Sequence, residues 1–185
     1  MTLRRTVLAL VPALVWGCAG DVSDDPLAPD ALRVQSAQEG AAAAANGGAH
    51  WTIPPEVFGV EVENRLAFTA RRDADGTVTG RIEYHQLFLE FHIILNARVT
   101  CMTVWDGGTR VKYGGVVEAS NDPDLPPGEV FIWFQGIDNG ESAGSVPDRS
   151  TIAGAGDEAA NESFCADPAG PRNAFDVVGN IQVSG

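Results

Sequence analysis

Apolar and polar residues alternate with the period of a β-strand through most of the chain beyond residue 65. Residues 66–71 run Leu, Ala, Phe, Thr, Ala, Arg. Residues 77–86 return with Val78, Gly80, Ile82 and Tyr84 on one face and Thr79, Arg81, Glu83 and His85 on the other. Asp73-Ala74-Asp75-Gly76 lies between them, and Asp-Gly between alternating runs signals a hairpin. Residues 88–104 predict one long strand or two with a bend, with Phe91, Ile93, Leu95, Ala97, Val99 and Cys101 on one face. After the turn Asp106-Gly107-Gly108, residues 109–118 predict a strand with Val111, Tyr113, Gly115 and Val117 inward. Gly114-Gly115 inside it suggests a bulge or sharp coil. Pro123, Pro126 and Pro127 exclude a strand over 122–128. Residues 129–138 are apolar on both faces, as in a strand covered twice or one lining a barrel. Residues 139–149 predict a loop, and 175–183 a last strand with Phe175, Val177, Gly179, Ile181 and Val183 on one face.

About six to nine short strands and no amphipathic helix predict an all-β fold. Short connections leave no room for crossovers, so pairing is antiparallel. A single antiparallel β-sandwich and a partly closed β-barrel both satisfy the pattern. The domain spans residues 49–185. Residues 18–48 carry acids, prolines and an alanine run without an apolar stripe, and predict a disordered tether or weak helix.

Residues 1–17 read as a signal peptide. Arg4 and Arg5 precede an apolar stretch, 7–16, too short to span a bilayer. Val15-Trp16-Gly17-Cys18 resembles the lipobox of bacterial lipoproteins, with Trp16 a bulky departure. The resemblance implies cleavage before Cys18, acylation of its sulfur and anchoring to the cell envelope. Ala19, rather than Asp, after that cysteine favours the outer membrane. The alternative is ordinary cleavage after Ala19 and release of the chain. With Cys18 acylated, Cys101 and Cys165 remain as a pair, and an oxidising compartment predicts a disulfide between them, against two buried free thiols.

Composition narrows the partners. Twelve Lys and Arg against 25 Asp and Glu give a net charge of −13, which repels nucleic acid and anionic headgroups. The expected partner is the membrane, through the lipid anchor; a protein or small-molecule partner is not specified by the sequence.

The best candidate site is the loop 138–149. Asp138, Glu141 and Asp148 are hard oxygen ligands suited to Ca²⁺, and Asn139 and Arg149 complete a ligand set. Turn chemistry explains the same residues, since Asp-Asn-Gly favours positive φ. Glu83 and His85 share a strand face and form a possible acid/base pair, and with His50 and His92 a possible zinc site, though without ligand spacing. Arg71, Arg72 and Arg81 gather around one hairpin, where they hold an anion or offset neighbouring acids. Asn161-Glu162-Ser163 matches a glycosylation acceptor, for which a bacterial lipoprotein has no use.

Residues 98–104 (Arg-Val-Thr-Cys-Met-Thr-Val), 114–117 (Gly-Gly-Val-Val), 137–141 (Ile-Asp-Asn-Gly-Glu), 147–149 (Pro-Asp-Arg), Phe164-Cys165 and 179–183 (Gly-Asn-Ile-Gln-Val) together resemble a family of exported bacterial β-domains described as hypothetical proteins. The resemblance covers roughly residues 67–185 and implies one compact β-domain that includes both cysteines, without an activity. The expected function is a non-enzymatic envelope domain, structural or binding, on a lipid tether. The alternatives are a small-molecule or lipid carrier using a barrel interior and a hydrolase using Glu83, His85 or the Asp138 loop.

Overall fold

Strands whose apolar residues share one face are stable only when those faces meet, and here they meet inside a barrel. The computed structural model describes residues 41–141, 146–167 and 173–185. The signal peptide, Cys18 and the tether up to residue 40 lie outside them. Ten strands form one sheet: β1 (Ala41–Ile53), β2 (Val62–Asp73), β3 (Val78–Phe88), β4 (Phe91–Trp105), β5 (Arg110–Ser120), β6 (Phe131–Ile137), β7 (Arg149–Thr151), β8 (Gly154–Gly156), β9 (Ala174–Asp176) and β10 (Val178–Ser184). The one-turn helix α1 (Pro55–Phe58) links β1 to β2, and α2 (Glu158–Ala166) links β8 to β9.

Strands β1 to β6 pair antiparallel in chain order; β6 then pairs with both β7 and β8, and β7 with β9. β10 returns to pair with β1, from Ala44↔Ser184 to His50↔Val178. Only Val177 separates β9 from β10, so one segment pairs with β7 at its start and with β1 at its end. The sheet is thereby a nearly closed barrel, which decides between the two architectures. The β1–β2, β3–β4 and β5–β6 connections lie at one end, called the α1 end. The β2–β3, β4–β5 and β6–β7 connections lie at the other, the seam end.

The interior is packed with side chains. Phe68 stacks on Tyr113 with ring centroids 4.1 Å apart, and Phe134 meets Tyr113 at 5.9 Å and Tyr84 at 5.1 Å. Ile53, Ile82, Leu95, Ile132 and Ile181 are fully buried around them. Toward the α1 end, Tyr84 donates its hydroxyl hydrogen to Asn64 Oδ1 at 2.5 Å, and Gln86 Nε2 donates to Asn64 Oδ1 and to the Tyr84 oxygen. Burial pushes the Tyr84 phenol well above its ordinary titration range, so it stays a neutral donor.

Four expectations change. The sheet begins at Ala41, so residues 41–48 belong to β1 and not to a tether. The small side chains fit there because β1 is flanked on both sides: a Cβ on Gly47 would lie 2.8 Å from Asn180 O and 2.9 Å from the Phe68 ring. The inward parity predicted for β4 holds from Ile93 to Val99 and then shifts, while Phe91 at the barrel end is exposed. A bulge between Val99 and Cys101 turns Met102 inward and Cys101 outward, opposite the Gly114-Gly115 pair where the irregularity was expected. The third change is α2, a helix the sequence pattern does not show. It starts at Asp157, whose Oδ1 accepts the Ala160 N–H at 2.8 Å, and buries Asn161 and Cys165. The fourth is the strand count, ten among the described residues.

α2 explains why β6 is apolar on both faces. Ile132 and Phe134 face the interior, while Trp133 points outward to Phe164 of α2, ring centroids 5.8 Å apart. Cys101 on β4 and Cys165 on α2 form the expected disulfide, Cα atoms 6.1 Å apart. Gly114 on β5 lets the helix approach, since a Cβ there would sit 2.0 Å from Asn161 Oδ1.

Candidate functional site

The loop after β6 sits on the barrel seam. On the side of β10 away from β1, backbone donors meet carboxylates instead of a strand. Asp148 Oδ2 accepts the Ile181 N–H at 2.7 Å, and its Oδ1 accepts the Asn139 N–H at 2.8 Å. Asp138 Oδ2 accepts the Val183 N–H at 3.0 Å, and its Oδ1 accepts the Gly140 N–H at 2.8 Å. Glu141 Oε1 takes the side-chain amides of Gln182 at 2.7 Å and Asn180 at 2.8 Å. Those two bonds, Gln182 first, hold the Glu141 carboxyl below the usual carboxylate range. Asn139 Nδ2 donates to Pro147 O at 2.5 Å, and Arg149 pairs with Asp176 at 3.2 Å and donates to Ala174 O.

Asp138, Glu141 and Asp148 do gather near one another, but they accept N–H groups from β10 and from their own loop. Among the described residues no group of three or more His, Cys, Asp or Glu is placed to hold a metal ion. Asn139 and Arg149 likewise serve the loop and β9 (Ala174–Asp176). Among the described residues, the partners of these hard-oxygen side chains are backbone and amide donors.

All three histidines lie on one outer wall. His50 on β1 stands opposite Arg65 on β2, and Arg65 stands opposite His85 on β3. His85 Nε2 and Glu83 Oε1 are 3.2 Å apart, and the His85 and His92 rings are 5.5 Å apart. A shallow groove of about 650 Å³ runs beneath His50, Arg65, Glu83 and His85, floored by Gly48, Ala67 and Gly179. Both members of the Glu83–His85 pair are substantially solvated. Among the described residues, His85 Nε2 pairs with Glu83 Oε1. Of the arginines near the first hairpin, Arg71 pairs with Asp73 at 2.6 Å and Arg72 donates to Met102 O.

A third feature was not read from the sequence. At the α1 end, Val57 and Phe58 of α1 are each 51% exposed, and Leu87, Leu89 and Phe91 of the β3–β4 hairpin are 40%, 71% and 63% exposed. Phe88 stacks on Phe91 at 5.4 Å, and Phe58, Val60, Val62, Gln86 and Phe88 line a groove of about 340 Å³. Exposed apolar side chains are ordinary when scattered, and informative when they gather at one place. The sequence signal was the unbroken run Leu87-Phe88-Leu89, where strand alternation fails just before a turn.

Beneath α2 lies Lys112, the single lysine of the chain. It is 4% exposed, donates to Asp167 O at the helix C-terminus, and sits 4.7 Å from the Phe164 ring centroid. Burial lowers its pKa. Its geometry is that of a helix C-cap. Asn161 is 1% exposed with Nδ2 donating to Thr100 Oγ1, so the glycosylation-like triplet is folded away. No protein-family model, curated protein or solved structure matches this chain.

Proposed function

We propose that this chain is an exported binding domain, anchored to the cell envelope through acylated Cys18, that acts through an external surface at the α1 end. The observation that carries the reading is a contrast. The barrel interior is filled by Phe68, Tyr84, Tyr113 and Phe134, whereas five large apolar side chains at the α1 end stay in water. A filled interior disfavours a carrier holding its cargo inside the barrel, the second function considered from sequence. The scatter of polar groups over seam, outer wall and helix disfavours a hydrolase. Export and outer-membrane anchoring rest on residues 1–20 and their resemblance to lipoprotein signals.

Two measurements test the proposal. Cys18→Ser moves the chain out of the membrane pellet; retention there without acyl mass defeats the anchor. A photocrosslinker at position 89, in the producing cell's envelope, captures a partner that the same crosslinker at position 107, on the seam end, does not. Equal capture from both positions, or none from 89, defeats the external surface.

A further inference from the structure

We propose that the α1 end docks a cationic amphipathic segment of a partner protein. The inference deepens the surface-binding reading above and rests on it. Three connections build this end: 54–61, 89–90 and 121–130. They contain Glu56, Glu61, Glu90, Asp122, Asp124 and Glu129, and no Lys, Arg or His. Apolar side chains ringed by acids match a segment whose apolar face is flanked by Lys or Arg, because such a partner covers the patch and neutralises its rim. Basic side chains meet the patch at its Leu87 border, where His92 stands opposite Leu87 across the hairpin and Arg65 lies beside them on the outer wall.

The backbone supplies an independent observation. Leu89 occupies φ +52° in the two-residue connection between β3 and β4. Glycine or asparagine adopts such a conformation at little cost, whereas leucine pays about 1–2 kcal/mol in steric strain. Strain kept by an exposed leucine, where burial cannot compensate it, points to a role for that side chain outside the fold.

Other occupants fit less well. A second copy would set six acids against six. An anionic bilayer is repelled by the same rim, and β1 enters the barrel at the seam end, so a chain anchored at residue 18 joins the sheet at the end opposite the patch.

The test uses the full chain carrying Cys18→Ser, so that no acyl group interferes. The probe is a synthetic amphipathic helix of leucine and lysine, compared with the same helix built of leucine and glutamate. The leucine–lysine peptide binds, more weakly as salt rises, and the leucine–glutamate peptide does not. Leu89→Asp/Phe91→Asp weakens binding by about tenfold or more, although it makes the chain more acidic. Undiminished binding to that variant means bulk electrostatics and overturns the proposal, as does equal binding of both peptides. Binding to zwitterionic vesicles, or self-association, through Leu89 and Phe91 in place of peptide binding also overturns it. If the double variant fails to fold, Leu89→Gly decides: it relieves the strain, and unchanged peptide affinity overturns the proposal. Capture from position 89 without peptide binding keeps the surface and rejects this occupant; no capture rejects the surface itself.

Discussion

The backbone N–H of Ile181 donates to Oδ2 of Asp148 at 2.7 Å, joining positions 33 residues apart across the barrel seam. β10 has a strand partner on one side only, and an open strand edge is both a lost set of hydrogen bonds and an aggregation hazard. Asp148 and Asp138 together take the Ile181 and Val183 donors, so two side chains do the work of a missing strand. Asp148→Ala leaves the donors of Ile181 and Asn139 without acceptors. It should cost about 2–4 kcal/mol in urea unfolding and speed amide exchange at Ile181. A calcium chelator should leave the wild-type midpoint unchanged. A wild-type midpoint in Asp148→Ala would mean that the seam closes without its carboxylate.

Glu141 gives the seam a pH dependence. Its folded pKa is lowered by the Gln182 and Asn180 amides. A lowered folded pKa means the unfolded state binds the proton first. The contribution is therefore present above the unfolded value, near pH 4, and is lost as pH falls through the lower folded value. Glu141→Gln should flatten this acid limb of the stability profile by lowering stability at neutral pH toward its acid value, leaving the low-pH end almost unaffected. The readout is the urea midpoint from neutral pH down to about pH 3 in both proteins. Parallel curves would remove Glu141 from the seam.

The first hairpin was legible because Asp75-Gly76 is local chemistry: Asp73 and Thr77 close the turn with a 2.9 Å backbone bond, and Gly76 takes φ +88°. The seam carboxylates were legible as a cluster but not in purpose, since their β10 partners lie about thirty to forty-five positions away. Residues 41–48 were misread because alanine and glycine carry no alternation in hydrophobicity; their place is set by Phe68 and by two flanking strands. The β4 bulge was legible only on the facing strand, at Gly114-Gly115, because Val99, Cys101 and Met102 are all apolar and a one-residue shift on β4 looks the same on either face. α2 was hidden because its buried positions are one asparagine and one cysteine.

Lys112 reports on that helix. Its amine lies under α2, pinned by Asp167 O and the Phe164 ring, and Cys101–Cys165 ties the helix to β4. Closing a loop with a sequence separation of 64 contributes about 4 kcal/mol in the chain-entropy model. Reduction should therefore lower the melting temperature and raise the rate at which an amine-reactive reagent modifies Lys112. Because no second lysine exists, that rate reads helix release directly. Cys165→Ser should reproduce both effects without reductant. Slow labelling after reduction would show that packing of Phe164 on Trp133, 5.8 Å apart, holds α2 unaided.

Leu89 separates stability from binding. At φ +52° its Cβ strains the hairpin, and at 71% exposure its side chain recovers little burial. Replacing it by glycine removes a steric cost and a small apolar contact at once. The steric term is about 1–2 kcal/mol, and the extra unfolded-state entropy of glycine returns up to about 1 kcal/mol of that. The net expectation is a chain as stable as the wild type or more stable, by up to about 1 kcal/mol, with weaker capture of the leucine–lysine peptide. Thermal unfolding and peptide titration on the same preparation measure both quantities. A clear loss of stability in Leu89→Gly would show that the leucine holds the hairpin together, and that the strained residue serves the fold rather than a partner.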